Sequence, residues 1–335
     1  MTDAKAISRR GKERNSSVRK VNRRMGFSFG TYIKRYWTLY ALLVIPILFF
    51  IIFRYAPMPY ILQAFKKNNI LIPPWKVEWA KDSGFQWFKK AFENPNFISF
   101  KSADKFFKSA LGNTVFLNIT DLIIGMPMPI IMALLLNELT FPKYKRITQT
   151  VLYLPHFLSW VIISTIALRL FATDRGMINQ MFGTHVNFLG EDWHWRGMYI
   201  FLGIWKECGW NTIIYLAALT GVSPELYEAA EVDGASRLQK IWHVTLPGIR
   251  STIIILLIMN LGHILGSDFD RPFTLRTEWA KGAGNTLSIF VYENGINGSQ
   301  YSLSTAVGLF QSVVCVMFLI ISNSLAKKFG ERGVW

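Results

Sequence analysis

Long apolar stretches separated by polar connections dominate the pattern of the chain. A membrane-spanning helix needs about 20 mainly apolar residues, because the hydrocarbon layer is about 30 Å thick and each helical residue rises about 1.5 Å. Six stretches meet this requirement, at residues 38–57, 114–136, 147–171, 198–219, 251–267 and 302–325. The pattern therefore predicts an all-α membrane protein with six transmembrane helices. Interior prolines are expected to kink these helices, at Pro46, Pro127, Pro129 and Pro155.

The composition agrees with a membrane protein and argues against two other classes. Apolar residues make up 51% of the 335 residues and charged residues only 17%, whereas typical soluble domains are about 25% charged. So little charge beside so much apolar surface excludes a disordered chain and an ordinary soluble enzyme. Cys208 and Cys315 both fall in apolar stretches, and they predict neither a disulfide framework nor a metal site.

The net charge of +16 is concentrated near the N-terminus, where residues 1–36 hold eleven basic and two acidic side chains. A nucleic-acid surface is also basic, but a basic segment directly before an apolar one is typical of a cytoplasmic flank. Six spans bring both termini to one side, so we expect cytoplasmic termini, an uncleaved first helix and no nucleic-acid partner. Segment 58–110 must then lie outside, although it carries nine lysines and four acidic residues.

The connection at 220–250 is cytoplasmic in this topology and has the pattern of two short helices. Ser223-Pro224-Glu225 is a helix start, with a capping hydroxyl, a proline at the first helical position and an acid near the positive end of the helix dipole. Gly234 ends the first helix and permits a sharp reversal, and we expect the second helix to end at Pro247. Small side chains leave a thin surface that another protein can approach closely, at Ala229, Ala230 and Ala235.

This loop resembles the coupling loop of ABC importer permeases of the binding-protein-dependent type, in which E-A-A-x3-G precedes an apolar position and L-P. The residues that occupy it here are Glu228, Ala229, Ala230, Asp233, Gly234, Ile241, Leu246 and Pro247. The resemblance implies that they couple the chain to a separate ATPase. Glu228 would be the polar contact, and Leu246 and Pro247 would tie the loop to the fifth span.

Further likenesses cover most of residues 38–335 and indicate the oligosaccharide and polysaccharide-fragment subgroup of sugar permeases. They are Tyr55-Ala56-Pro57-Met58, Asn113-Thr114, Trp210-Asn211-Thr212, Tyr301-Ser302, Ala306-Val307-Gly308-Leu309-Phe310 and the ending at 329–335. Residues 273–285 depart from the expected pattern, which leaves the substrate and binding-protein preference open.

The resemblance also implies an assembly in a bacterial cell membrane. Such permeases pair with a second permease, here expected to be a homologous one, and the pair binds two copies of an ABC ATPase. An external solute-binding protein delivers the carbohydrate. The implied division of the chain is a basic cytoplasmic tail at 1–36, a first helix with an external aromatic-rich loop at 37–110, a five-helix permease core at 111–330 and a C-terminal tail at 331–335.

ATP and magnesium are expected on the partner ATPase and not on this chain. The sequence contains no G-x4-G-K-[ST] loop that could hold nucleotide phosphates. H-E-x-x-H is absent too. We therefore expect no catalytic residue, metal or cofactor in this chain.

Polar side chains inside the predicted spans mark a candidate substrate path. Such groups are costly in a membrane and indicate either a pathway or a contact between helices. The candidates are Asp121, Lys206, Glu207, Trp210, Asn211, Asn260 and Gln311. Sugars present hydroxyl edges and apolar faces, which amides, charges and a tryptophan can bind. Alternatively these residues only join helices, for example through an Asp121–Arg169 pair or through Lys206 and Glu207 with a neighbour.

Two other functions stay open. An importer for an amino acid or a peptide would carry the same coupling loop, and only the likeness in the sixth span and the C-terminus favours sugar. A polytopic membrane enzyme or scaffold would have such a loop by coincidence, and the missing catalytic motifs argue against it.

Overall fold

A computed structural model describes residues 29–266, 268–328, 330, 333 and 334, with the side chains of residues 29–34 excepted. Most of the predicted tail at 1–36, Ser267 and most of the predicted tail at 331–335 lie outside the described residues. The described residues divide into two compact units between Ile61 and Leu62.

The described residues are helical almost throughout, and the β pairing among them is one isolated bridge between Lys66 and Trp79. In the first unit, α1 covers Phe29–Phe50. The α-helices of the second unit are α2 (Gln86–Glu93), α3 (Ala103–Lys108), α4 (Ala110–Thr120), α5 (Pro127–Asn137), α6 (Pro142–Tyr153), α7 (Trp160–Leu170), α8 (Met177–Phe182), α9 (Asp192–Leu219), α10 (Pro224–Val232), α11 (Arg237–Lys240), α12 (Leu246–Gly248), α13 (Arg250–Leu261), α14 (Asp270–Leu275), α15 (Leu287–Tyr292) and α16 (Tyr301–Lys328). This architecture confirms the predicted all-α class.

α1 exposes apolar side chains on every face. Residues 37–50 are all exposed, and the helix continues through a wide turn at Ile51–Tyr55. A helix that is hydrophobic all round and unburied is typical of a lipid-facing span.

Three helices among the described residues are long and apolar enough to cross a membrane, namely Arg35–Phe65, Ala110–Asn137 and Tyr301–Lys328. They coincide with the first, second and sixth predicted spans. Two bent helix pairs raise the number to five if each pair is one span. The fourth predicted span lies in α9, a continuous helix of 28 residues that carries the adjacent charges Lys206 and Glu207. The count of six therefore stays a prediction.

The third predicted span, residues 147–171, is not one continuous helix. Its two parts, Pro142–Phe157 and Trp160–Leu170, meet at 98°. Pro155 lies at this break, where its ring and missing N–H cannot continue the helical ladder. Gly209 of α9 allows close approach to the break, since a Cβ at this position would lie 1.9 Å from the Leu152 carbonyl oxygen.

The fifth predicted span, residues 251–267, is also shorter as a helix than the sequence indicates. α13 ends at Leu261, and the chain continues in turns towards Gly266.

Three groups of buried apolar side chains hold the second unit together. The first surrounds Trp195 of α9 and includes residues of α4, α7 and α14. The second joins Phe97 to Phe290 of α15 and to residues of α16. The third packs Tyr215, near the end of α9, against Ile249 before α13.

The segment before α4 is partly a packed cap. Phe97 is fully buried, whereas Phe100 is 80% exposed. Lys108 links this segment to the start of α9 through ion pairs of 3.1 Å with Asp104 and with Asp192, and hydrogen bonds to these two acids raise the pKa of Lys108.

Candidate functional site: a coupling elbow and a polar cavity

Residues 220–250, which we call the elbow, form two short helices with a sharp reversal, as predicted. α10 begins at Pro224, and Glu225 follows in its first turn. Gly234 then adopts a φ of +74°, a left-handed conformation that residues with a Cβ rarely adopt. α11 and α12 follow, joined by a wide turn, and the chain bends by 60° into α13.

The capping hydroxyl belongs to a different serine from the one that the sequence indicates. Ser223 occupies the cap position of α10, but its side chain makes no capping hydrogen bond. Ser236 caps α11 instead. Its hydroxyl accepts a hydrogen bond from the Gln239 N–H, and the Gln239 side chain accepts one from the Ser236 N–H. The S-x-x-Q pattern at 236–239 is the sequence signal for this cap.

Ser236→Ala is expected to loosen the elbow, and Ser223→Ala is its matched control. Loss of a helix cap costs about 1 kcal/mol, whereas Ser223→Ala removes no capping bond. Hydrogen exchange of the backbone amides of residues 237–240 measures the difference. Exchange should be faster in the Ser236 variant alone, and equal rates in the two variants would contradict the assigned cap.

Two side-chain contacts tie the elbow together internally. The Tyr227 hydroxyl donates to the Thr245 Oγ1 at 3.0 Å, and the Lys240 Nζ lies 3.1 Å from the Glu231 Oε2. Both contacts join the first short helix to the second. We infer that the elbow can move as one body.

The predicted coupling residues are accessible on the elbow. Glu228, Ala229, Asp233, Gly234 and Pro247 are exposed, and Ala230, Ile241 and Leu246 are half-buried. Large apolar side chains beside them are also exposed, with Val232 at 89%, Leu238 at 71% and Trp242 at 68%. Exposed apolar groups clustered among polar ones mark a surface for another protein.

A polar cavity of about 330 Å³ lies between α4, α5, α9 and α13. Four of the seven predicted path residues line it, namely Asp121, Glu207, Asn211 and Asn260. The amides of Asn211 and Asn260 have no hydrogen-bond partner within the described residues, and each offers both donors and an acceptor. The cavity can therefore bind a molecule that carries hydroxyl groups.

A buried ion pair lies at the end of the cavity that is remote from the elbow. The Arg271 Nη1 is 2.7 Å from the Asp121 Oδ2, and the Arg271 guanidinium lies 3.6 Å from the centre of the Tyr199 ring. Gly203 makes room for Arg271, because a Cβ there would lie 2.0 Å from the Nη2. The Asp121–Arg169 pair suggested by the sequence is wrong, since Arg271 takes that place.

Lys206 and Trp210 do not line the cavity but lie at the break between α6 and α7. The buried Lys206 donates to the His156 carbonyl oxygen and lies 3.5 Å from the Glu207 Oε1. The Glu207 Oε2 is 2.8 Å from the His156 Nδ1, and Trp210 stacks on the His156 ring at 4.4 Å. This cluster supplies a partner to a carbonyl that the broken helix leaves free. The sequence analysis expected Lys206 and Glu207 to contact a neighbouring helix but could not say which residue. That residue is His156.

Gln311 lies apart from the other candidates, in a second and wider groove beside α16. Sequence reasoning missed Arg271, Tyr199 and His156. His156 lies inside the third predicted span, where a polar side chain is itself a signal, whereas Arg271 lies between the fifth and sixth predicted spans. Only the packing of distant segments brings them to Glu207 and Asp121.

Several apolar helices around a polar cavity, with an exposed elbow at one end, define a polytopic membrane protein of the transport type. Within the residues that the structure describes, no group of three or more metal-ligating side chains is present. Residues 96–268 match the family described as "Binding-protein-dependent transport system inner membrane component", and the chain belongs to that family. Members of this family are transporter permease subunits and not enzymes.

Two relatives from Bacillus subtilis (strain 168) align over nearly the whole chain. Protein LplB is 42% identical over 315 residues, which are 92% of this chain and 95% of LplB. The polygalacturonan/rhamnogalacturonan transport system permease protein YteP is 39% identical over 302 residues, 89% of this chain and 90% of YteP.

Solved structures of a bacterial alginate ABC transporter have the same fold. A chain of the transporter that imports the acidic polysaccharide alginate superposes with a TM-score of 0.77 and is 35% identical, over 90% of this chain and 99% of that one. A chain of the same kind of transporter, in complex with an alginate pentasaccharide-bound periplasmic protein, gives a TM-score of 0.79 at 34% identity, over 92% and 100% of the two chains. The fold is that of the type I ABC permeases.

Proposed function

We propose that this chain is the transmembrane permease subunit of an ATP-driven importer for oligosaccharides or related carbohydrates. The observation that carries the proposal is the elbow, in which the residues from Glu228 to Pro247 follow the coupling pattern and form short helices after α9. The names of the similar permeases and the alginate transporter structures support a carbohydrate as the substrate.

In this proposal the elbow is the contact with the ATPase. The exposed Glu228 is the polar contact, the alanines and Gly234 shape the fit, and Leu246 and Pro247 join the elbow to α13. ATP-driven closure of two ATPase subunits would pull on the elbow and switch the permease between inward and outward access. Reversing a 99:1 preference between two such states requires about 5.5 kcal/mol of differential binding.

The polar cavity is the proposed part of the substrate path that this chain supplies. Asp121, Glu207, Asn211 and Asn260 line it together. Their amide and carboxylate groups suit the hydroxyl edges of a sugar. Lys206 and Trp210 do not line the cavity, but they hold Glu207 in position. Lys206 contacts Glu207 directly, and Trp210 stacks on His156, which contacts Glu207 in turn.

The remaining parts of the assembly follow the same proposal. The chain pairs with a second, homologous permease, and the pair binds two ATPase copies that hold ATP and magnesium. An extracytoplasmic binding protein delivers the substrate. The chain crosses the bacterial cell membrane six times with both termini in the cytoplasm.

Purification from the native membrane followed by uptake assays tests the proposal. Mass spectrometry should detect an ABC ATPase and a second permease with this chain. The complex is then reconstituted in liposomes with its binding protein and supplied with three series of saccharides, namely oligogalacturonides, alginate oligosaccharides and arabino-oligosaccharides. Each series is represented by a saccharide of two sugar rings and one of five. The complex should import members of at least one series.

The rival functions predict different results in the same assays. Uptake of amino acids or peptides without uptake of any saccharide would favour the non-sugar importer. Purification without any ATPase would favour a membrane enzyme or scaffold, in which the elbow has another role.

A further inference from the structure

The groove beside α16 is the second large concave surface of the molecule. Its volume is about 540 Å³, and it lies between α15, the wide turn at Glu293–Asn297 and α16. Phe269, Tyr292, Tyr301, Gly308 and Gln311 are among the residues that line it. We call it the α16 groove.

Aromatic rings hold one another in place along one wall of the α16 groove. Phe269 stacks on Phe273 with ring centres 4.7 Å apart. Tyr292 lies 4.9 Å from Phe269 and 5.5 Å from Phe273. Because Phe269 and Tyr292 line the groove, this cluster presents a pre-formed aromatic surface to it.

Polar groups without partners stand beside these rings. The hydroxyls of Tyr292 and Tyr301 and the amide of Gln311 make no hydrogen bond to any described residue, yet all three residues line the α16 groove. A ligand with apolar faces and hydroxyl edges fits this combination of rings and unpaired polar groups.

The floor of the α16 groove is open because Gly308 carries no side chain. A Cβ at Gly308 would meet no atom within 4 Å, whereas a Cβ at Gly295 would lie 2.6 Å from the Ser304 Oγ. The wide turn thus packs tightly on α16 one turn away, while the surface above Gly308 stays free.

The same segment of the chain borders both the polar cavity and the α16 groove. Gly266 and Arg271 line the cavity, and Phe269 between them lines the groove. At about 330 Å³ the cavity lies at the low end of the roughly 300–1,000 Å³ that enclose a drug-sized ligand. A saccharide of several rings needs more surface than this cavity supplies.

We propose that the α16 groove is a second carbohydrate subsite, which binds those rings of an elongated oligosaccharide that the polar cavity cannot enclose. This inference rests on the proposed function as a sugar permease. The rings of Phe269 and Tyr292 stack on the apolar face of a sugar ring, and Tyr301 and Gln311 bind its hydroxyl groups. The groove thereby makes uptake depend on the length of the saccharide.

Gly308→Phe tests the subsite because a Cβ at Gly308 meets no atom within 4 Å and the added ring occupies the α16 groove. The complete complex with its binding protein is reconstituted, and uptake of two-ring and five-ring members of the three saccharide series is compared. We expect uptake of the five-ring saccharide to fall about tenfold, which corresponds to the loss of about 1.4 kcal/mol of binding free energy. Uptake of the two-ring saccharide should stay within about twofold of the wild type on the same scale.

A matched variant serves as the control. Gly197→Phe places the same side chain on α9, at another helical glycine whose Cβ would meet no atom within 4 Å. This variant should import the two lengths as the wild type does.

The outcomes separate this inference from the proposed function. Equal effects of Gly308→Phe on both lengths would overturn the subsite, and loss of the second permease from the purified complex would identify the groove as a subunit contact instead.

If Gly308→Phe assembles poorly, Tyr292→Leu is the deciding variant, because it adds no bulk to the groove. A selective loss of five-ring uptake in that variant supports the subsite, and unchanged uptake overturns it. Failure of the wild-type complex to import any saccharide would instead contradict the carbohydrate function itself.

Discussion

Gly234→Val is expected to reduce ATP-driven import at least tenfold while the chain stays folded. Gly234 has a φ of +74°, and a β-branched residue is a genuine outlier at positive φ. Holding it there costs on the order of 1–3 kcal/mol, which is enough to change the angle between α10 and α11 and to misalign the two faces of the elbow. A Cβ at this position meets no atom within 4 Å, so any effect comes from the backbone and not from a clash.

Gly183→Val is the matched control for this prediction. Gly183 ends α8 with a φ of +62°, and a Cβ there also meets no atom within 4 Å. The same backbone strain is thus introduced away from the elbow. Uptake into liposomes and the amount of ATPase that co-purifies are measured for both variants. Normal uptake in the Gly234 variant, or an equal loss in the Gly183 variant, would refute the role of the elbow in coupling.

Arg271→Met is expected to destabilise the permease strongly, because it leaves the Asp121 carboxylate without its partner. Arg271 is only 7% exposed and pairs with Asp121 at 2.7 Å. Removal of one member of a buried ion pair typically costs about 3–5 kcal/mol, and we expect the lower end here because the Asp121 side chain is 29% exposed. Replacement of both members by apolar residues is often nearly neutral. The double variant Asp121→Leu/Arg271→Met should therefore recover much of the lost thermal stability.

The thermal unfolding of the purified chain in detergent gives the measurement. Glu278→Ala is the control, since it removes an ion pair with Lys281 in which the glutamate side chain is 82% exposed. Exposed pairs contribute about 0–1 kcal/mol, so this variant should unfold near the wild-type temperature. A double variant as unstable as Arg271→Met would show that Arg271 stabilises the fold by its packing on Tyr199 and not by its charge.

Features that depend on neighbouring residues in the chain were readable from the sequence. The apolar runs predicted the all-α class, since a helix satisfies its own backbone hydrogen bonds whatever surrounds it. The two short helices of the elbow and the reversal at Gly234 were predicted as well, because a proline at a helix start and a glycine at its end act on the adjacent backbone. The Ser236–Gln239 cap is equally local. Its S-x-x-Q pattern was present in the sequence, although the capping hydroxyl was predicted at Ser223.

Features that depend on which distant segments meet were not readable from one sequence. Asp121 and Arg271 are 150 residues apart, and no local spacing distinguishes Arg271 from Arg169 as the partner. A kink at Pro155 was expected from the sequence, but its angle of 98° and the contacts of α9 at the break, through Gly209 and Lys206, were not. Likewise, packing alone assigns Asn211 to the cavity and Gln311 to the α16 groove. Side-chain chemistry can be read along the chain, but which groups face one another follows from the way the helices pack.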